Sequence, residues 1–299
     1  MKKIILIVSV IIGQWSLTKA CDACGCSMHG IGVDMISVLQ KNYFGMQYYT
    51  GTFTSNLPDS KGSKDKFRTL DFSLRVGIKY KWYVLIDQPY IYNTRKHPDG
   101  NGTVQGIGDS KISVHYILSK QSKSASNLHF YIDGGMGIKG ATGKYDPYIH
   151  IQQNLPENFN VGNGSWGIFS ATNIGVSNDR WLAFMSTQYM HFFNTKEDYH
   201  FGDQSSAQLV LGNKLKKMGA FSLTPYAGFL GEFIQKDHKS LAHYSTTGGA
   251  GLYTSFGISI QSGRFNFNTY ASIPLVQQYS NDDLQAANKI QFQISYLFN

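Results

Sequence analysis

The segment NKIQFQISYLFN (288–299) alternates between apolar and polar residues along its length. Successive side chains of a β-strand face opposite sides, so this segment predicts a strand with one apolar and one polar face. The apolar face carries Ile290, Phe292, Ile294, Tyr296 and Phe298. The opposite face carries Lys289, Gln291, Gln293, Ser295 and Leu297. Such a strand fits either the wall of an outer-membrane β-barrel or the edge of a soluble β-sandwich.

The composition favours the barrel. Only 15% of the 299 residues are charged, whereas 19 are Tyr, 19 are Phe and 31 are Gly. A soluble protein usually has about a quarter charged residues, and a barrel wall needs aromatic girdles and tight turns. The net charge of +8 comes from scattered Lys and Arg residues rather than from a basic helix. We therefore expect no nucleic-acid partner.

The first twenty residues predict a secretory signal peptide. Lys2 and Lys3 precede an apolar run at 4–13, and Ala20 lies at the expected cleavage position. That run is too short to span a bilayer, and no other apolar stretch approaches the roughly 20 residues of a membrane-spanning helix. The predicted organisation is a signal peptide at 1–20, a cysteine-containing segment at 21–40 and a β-barrel at 41–299.

The remaining chain divides into about twelve strands. We predict them at 41–54, 66–80, 82–95, 106–119, 127–141, 164–178, 180–194, 203–215, 218–235, 243–261, 264–278 and 287–299. The links between them alternate between short turns and longer polar loops. Outer-membrane barrels have short periplasmic turns, longer outer loops and an even number of strands. The chain is therefore predicted to be all-β, a twelve-stranded antiparallel transmembrane barrel in the bacterial outer membrane, in contact with its lipids.

The alternation also assigns charged side chains to the lumen. They are Asp71, Arg75, Lys79, Asp87, Lys111, His115, His129, Asp133, Lys139 and Glu232. One interpretation is a polar pathway that orients a small solute. The other is a filling of mutually neutralising charges, because a narrow barrel needs interior side chains.

All three cysteines lie in the segment CDACGCSMHG (21–30), as Cys21, Cys24 and Cys26, with His29 close behind. Thiolates and an imidazole at this spacing suit Cu(I) or Zn(II). A disulfide or redox pair, a lipid anchor at Cys21 and an inert segment are the alternatives.

Two further segments lack strand alternation. Residues 27–40 could plug the lumen or lie at the periplasmic rim. The loop at 142–163 is the longest link and has few charges, so it could cap the outer mouth or form a mobile surface loop.

Three glycine-containing passages carry a family resemblance: QGIGDSKISVHY (105–116), GGMGIKGATGKYD (134–146) and VGNGSWGIFSATNIG (161–175). Together they resemble the MetA-pathway phenol-degradation proteins of Gram-negative bacteria, distant relatives of the FadL fatty-acid and hydrocarbon channels. Ala141 stands where that family usually has Pro. The CDACGCS start instead resembles outer-membrane proteins of Bacteroidetes-type bacteria. The resemblance implies a monomeric barrel that passes small solutes, with hydrophobic compounds as one class.

The leading functional hypothesis is passive transport of a small solute through the lumen. The alternative is a metal- or redox-linked binding protein, in which Cys21, Cys24, Cys26 and His29 form the site and the barrel is the anchor. An enzyme is not expected, because neither a G-x-S-x-G elbow nor an H-E-x-x-H zinc helix is present.

Overall fold

The fold is a β-barrel made almost entirely of antiparallel strands. The computed structural model describes residues 41–298 except 58–59, 98–99, 124–126, 154, 216–218, 240–241 and 244–246. The strands are β1 (Asn42–Ser55), β2 (Lys64–Lys79), β3 (Trp82–His97), β4 (Gly100–Ile107), β5 (Lys111–Lys123), β6 (Leu128–Lys139), β7 (Gly167–Ser177), β8 (Trp181–Phe192), β9 (Tyr199–His200), β10 (Gln204–Asn213), β11 (Phe221–Ile234), β12 (His238–Lys239), β13 (Ala242–His243), β14 (Gly249–Ser262), β15 (Phe265–Tyr279), β16 (Leu284–Ala286) and β17 (Lys289–Phe298). In the described part of the chain, no helix is long and apolar enough to cross a membrane.

The barrel closes because the first and last strands pair. Asn42 of β1 lies opposite Phe298 of β17, and the antiparallel register continues to Thr50 opposite Ile290. The segments β4 and β5 follow one another beside β3, and β16 and β17 follow one another beside β1. Within the described residues, the wall thus has twelve strand positions, and the predicted twelve-stranded barrel is confirmed.

The barrel has an apolar exterior and a polar interior. In β17, Phe292 is 53% exposed, whereas the neighbouring Gln291 is 1% exposed. The predicted alternation of this strand is therefore confirmed, with its apolar face outward. A soluble protein would bury Phe and expose Gln, but lipid outside a barrel favours the reverse. This distribution on a closed barrel places the protein in the outer membrane.

Long and short connections lie at opposite ends of the barrel. Tight turns at 80–81 and 263–264 lie at the same end as the start of β1 and the end of β17. The opposite end carries the longer connections at 140–166, 193–203 and 235–248. By the usual orientation of such barrels, the first end is periplasmic and the second faces outward.

The predicted strand at 106–119 is interrupted, and the predicted link at 96–105 is wrong. Gly100–Ile107 forms β4, which extends the outer part of the hairpin with β3, and β5 starts only at Lys111. The ladder breaks beside Pro89 of β3, which has no backbone N–H to donate. Gly108 donates its own N–H to the Pro89 carbonyl at 2.9 Å across this break.

Four predicted outer links also contain short regular elements. Strands β9, β12 and β13 form a small three-stranded sheet from the links at 195–202 and 236–242. Residues Ser280–Asp282 form a 3-10 turn before β16, in the predicted link at 279–286. The loop at 142–163 contains the helix α1 (Ile149–Gln153) and a 3-10 turn at Glu157–Phe159.

Candidate functional site

The lumen contains most of the charged residues that the alternation predicted there. Asp71, Arg75, His115, Asp133, Lys139 and Glu232 are buried inside the barrel. Asp87 and Lys111 are half-buried and lie opposite one another on β3 and β5. Lys79 follows a bulge and is exposed opposite Trp82, and His129 is exposed near the start of β6. These last two residues therefore lie at the periplasmic end of the barrel.

A belt of polar contacts crosses six neighbouring wall positions. The guanidinium of Arg75 lies 3.8 Å from the Tyr83 ring, which stacks on His115 at 4.7 Å between ring centroids. His115 Nδ1 is 3.1 Å from Asp133 Oδ1, and Asn173 Nδ2 donates to the same oxygen at 3.1 Å. The belt ends where Ser186 donates to Asn173 Oδ1 at 2.7 Å. We call these six residues, Arg75, Tyr83, His115, Asp133, Asn173 and Ser186, the polar belt.

A second polar group lies on the strands that complete the barrel. Lys289 Nζ is 2.5 Å from Glu232 Oε1 and 4.1 Å from the centroid of the Tyr253 ring. The Tyr253 and Tyr279 hydroxyls lie 2.8 Å apart, and both donate to Glu232. Because this buried carboxylate has a cation and two hydroxyl donors, its charge is compensated within the wall.

Between these groups, some interior amides lack a protein partner. Neither side-chain polar atom of Gln208 or of Gln291 has a hydrogen-bond partner among the described residues, although both side chains are about 1% exposed. Buried amides normally make hydrogen bonds to protein or water. These interior amides therefore need a water molecule or another polar group beside them.

The interior also has an apolar side. Tyr131, Leu182, Phe184, Val210, Tyr226 and Tyr270 form a buried cluster. In the predicted strand at 180–194, Leu182 and Phe184 face inward. The lumen therefore has a polar surface beside an aromatic one. The side chains of the aromatic cluster narrow it.

Two buried ion pairs fix the long loop at the outer end. Arg95 makes a bidentate contact with Asp65, at 2.7 and 2.6 Å, and lies 5.2 Å from the Phe159 ring. Lys139 Nζ lies 2.5 Å from Asp109, whose carboxylate also accepts the backbone N–H groups of Gly143 and Asn163, each at 2.8 Å. Asp109 thus joins the barrel wall to both ends of the loop.

The loop at 142–163 folds into the outer mouth. Ile149, Leu155 and Phe159 are at most 2% exposed. They belong to one buried cluster with wall residues from both sides of the seam between β1 and β17: Phe53, Phe67, Leu230, Tyr253, Tyr279, Leu284 and Ala286. Of the two predicted alternatives, the structure favours a cap over a mobile surface loop. We call this segment the outer plug.

The periplasmic mouth contains a cavity of about 790 Å³. Its floor includes Arg75 and Tyr83, the first two members of the polar belt. Lys41, Lys79 and Lys81 lie around it. Among the described residues, the lumen is therefore open at the periplasmic end and covered at the outer mouth.

Several site residues were absent from the predicted lumen set. Lys289 lies on the polar face of the segment 288–299, so the alternation of that segment could have identified Lys289 as a lumen residue. Asp65 lies one residue before the predicted strand, and Asp109 lies in the unexpected break between β4 and β5. Pairing such residues with Arg95 and Lys139 requires knowledge of the register and of the loop fold, which no local pattern provides.

A separate group of ligand-type side chains lies at the outer end of β8. Ligand atoms of His191, His200 and Asp203 all lie within 4.8 Å of one another. Burial, followed by the nearby His238, lowers the pKa of His200. Burial tends to raise the pKa of Asp203, but hydrogen bonds from His191, Tyr189 and the Phe192 N–H outweigh it and lower that pKa. The predicted copper or zinc site at Cys21, Cys24, Cys26 and His29 lies outside the described residues and stays a prediction.

Comparison with known structures supports the fold. No protein-family model and no curated protein matches the chain. The COG4313 outer membrane channel from Pseudomonas putida F1 is similar in structure, with a TM-score of 0.63, 9% identity, and coverage of 86% of this chain and 96% of that one. The beta domain of the Bordetella autotransporter BrkA is also similar, with a TM-score of 0.50, 12% identity, and coverage of 86% and 100%. At these identities the likeness establishes the outer-membrane barrel fold, whereas the phenol-degradation and FadL resemblance stays a prediction.

Proposed function

We propose that this protein is a channel for passive diffusion of a small, uncharged and partly hydrophobic solute across the outer membrane. The observation that carries this proposal is the outer plug, an apolar loop seated in the mouth of a barrel whose interior is polar on one side. A barrel that served only as an anchor would not need a loop fitted into its mouth. The similarity to an outer membrane channel supports the same function.

The solute class follows from what the plug covers. Phe53, Phe67, Tyr253 and Tyr279 belong to the same outer cluster as Phe159, and the Phe67 ring lies 5.0 Å from the Phe159 ring between centroids. Withdrawal of the plug would leave an aromatic cup at the entrance, which suits an apolar or aromatic solute. Deeper in the barrel, acidic and basic groups neutralise one another in close pairs, so no strong selection for one sign of charge is expected.

The outer plug can be tested by removing it. The backbone N–H of Asp146 lies 2.8 Å from the Asn160 side chain, so the two ends of the segment between them are close together. Replacing residues 147–159 by two glycines should therefore leave the barrel closed. Conductance in planar bilayers and swelling of proteoliposomes in small solutes should both increase strongly relative to the unaltered chain.

A point variant refines this test. Phe159→Ala removes a fully buried ring, at a cost of about 3–5 kcal/mol for a buried Phe, and should raise conductance by destabilising the plug. Tyr148→Ala is the matched control, because Tyr148 lies in the same loop but is 56% exposed. A heat-modifiable gel shift verifies that each variant is a folded barrel. If the plug-deleted barrel is folded but neither conducts nor passes solutes, the channel proposal is wrong.

A further inference from the structure

Three metal-ligand side chains converge on the outer rim of the barrel, away from the lumen. His191 Nδ1 lies 2.9 Å from both carboxylate oxygens of Asp203. His200 Nε2 lies 3.8 Å from Asp203 Oδ1. Tyr189, two residues before His191, is exposed on the outer face of β8, so the group lies just beyond the lipid-facing surface.

The spacing is close to that of a tetrahedral metal site. Zinc–nitrogen and zinc–oxygen bonds of about 2.0–2.2 Å place neighbouring ligand atoms roughly 3.3 Å apart. The three ligand atoms already lie within 4.8 Å of one another. Small side-chain rotations would therefore complete the geometry, and no backbone movement is required.

Surrounding hydrogen bonds orient two of the three ligands, His200 and Asp203. His200 Nδ1 lies 3.0 Å from Asn194 Oδ1, and Asn194 donates its own amide to Asp198 at 2.8 Å. This arrangement fixes the proton of His200 on Nδ1 and leaves the Nε2 lone pair facing Asp203. Asp203 accepts hydrogen bonds from the Tyr189 hydroxyl at 2.6 Å and from the Phe192 N–H at 3.2 Å.

We propose that His191, His200 and Asp203 bind a divalent ion of the zinc class. Two imidazoles and one carboxylate suit Zn²⁺ rather than Mg²⁺ or Ca²⁺, which prefer oxygen ligands. Binding of the ion would release the proton shared by His191 Nδ1 and Asp203 to solvent, and the bound imidazole would be the tautomer protonated on Nε2. Water would supply the fourth ligand, and His238, whose ring stacks on His200 at 4.3 Å, lies beside the site.

Such an ion would clamp the outer loops to the barrel. His191 lies at the end of β8, whereas His200 lies in β9, which pairs with β12 of the next outer loop. Zinc bound between them would join the wall to the small three-stranded sheet. The site lies outside the lumen, so it is independent of the channel proposal.

Zinc titration calorimetry of the mature chain in detergent tests this site. The titration is repeated in a Cys21→Ser, Cys24→Ser and Cys26→Ser background, which removes binding by the thiols. We expect about one zinc ion per chain in that background. His200→Ala should weaken binding by more than the roughly 10- to 100-fold typical of losing an outer-shell partner, and Asn194→Ala should fall in that outer-shell range.

Cobalt provides a second readout that separates this site from the cysteines. Co²⁺ at His191, His200 and Asp203 should show visible absorption bands without the thiolate charge-transfer band, and Asp203→Asn should abolish them. His97→Ala, at the outer end of β3, is the matched control and should leave both signals unchanged. The proposal is overturned if the triple-serine background binds no zinc, or if its folded His200→Ala variant binds zinc with unaltered affinity.

Discussion

The two mouths of the barrel are built differently. At the outer mouth, a loop with its own helical turn lies inside the wall and is fixed by two buried ion pairs and an aromatic cluster. At the periplasmic mouth, the described residues surround a cavity of about 790 Å³ with Lys41 and Lys79 exposed beside it. The comparison indicates that charges at the outer mouth stabilise the loop, whereas those at the periplasmic mouth are exposed.

The largest expected effect comes from breaking the outer ion pair. Asp65→Ala leaves Arg95 buried without its carboxylate, and loss of one partner from a buried pair costs about 3–5 kcal/mol. Urea unfolding of the barrel should show this loss, together with increased conductance because Arg95 also contacts the Phe159 ring. Lys79→Ala at the periplasmic mouth should change stability by no more than about 0.5 kcal/mol. Equal losses from both variants would remove the distinction between the mouths.

A weaker effect is expected at Asp109, which anchors both ends of the outer plug. Asp109→Asn weakens its contact with Lys139 and its bonds from Gly143 and Asn163. Hydrogen bonds to charged groups are worth about 1.5–3 kcal/mol, so the closed plug should lose roughly 10- to 150-fold in its equilibrium with an open form. Single-channel recording should show this as longer open times. The exposed Lys96 provides a control, since Lys96→Ala should leave the open times as they are.

Charge reversal at the periplasmic mouth should alter selectivity but not stability. In the plug-deleted channel, Lys41→Glu together with Lys79→Glu should move the reversal potential in a KCl gradient toward cation selectivity. The effect should fade in concentrated salt, because the Debye length decreases from about 10 Å at 0.1 M to about 3 Å at 1 M. Lys64→Glu, an exposed lysine at the outer end of β2, should change the potential less. If Lys64→Glu shifts the reversal potential more than the Lys41→Glu and Lys79→Glu pair does, our assignment of the periplasmic mouth as the accessible one is wrong.

The smallest predicted effect is a pH dependence of the outer plug. Burial raises the pKa of Glu157 above 4.5, against the opposing influence of Tyr145, His150 and Lys239. The closed plug therefore favours protonated Glu157, and this contribution is complete below pH 4.5 and is lost as the pH rises through the raised pKa. Conductance should accordingly be lower at pH 4.5 than at pH 7. Glu157→Gln should remove this part of the pH dependence, and a profile unchanged by that substitution would contradict its origin in Glu157.

The wall of the barrel could be predicted because the direction of each side chain, inward or outward, follows from the alternation within its own strand. Alternation alone placed Gln291 inward and Phe292 outward, and it placed Arg75, His115 and Asp133 in the lumen. The interior of a membrane barrel is polar and its exterior is apolar. The sequence of each strand therefore shows which of its faces points toward the lumen. The break between β4 and β5 escaped prediction because it depends on Pro89, which lies on the neighbouring strand.

The outer plug could not be predicted from the same rule. Ile149, Leu155 and Phe159 have neither strand nor helix periodicity, and several of their partners lie on strands more than a hundred residues away in sequence. The pairing of Lys289 with Glu232 similarly depends on the register across the neighbouring strands β11, β14, β15 and β17. The group at His191, His200 and Asp203 combines a strand residue with loop residues, so their proximity arises only in the folded chain.

The seam between β1 and β17 has a consequence for biogenesis. Since Asn42 pairs with Phe298, β1 and β17 cannot pair with one another until β17 has been secreted. Until then, two unpaired edges and outward aromatic residues such as Phe44 and Phe292 are exposed to water, a state prone to aggregation. Contacts so distant in sequence also form slowly. We therefore expect the nascent chain to depend on periplasmic chaperones. We also expect it to need assembly machinery that binds the edge of β1 until β17 pairs with it.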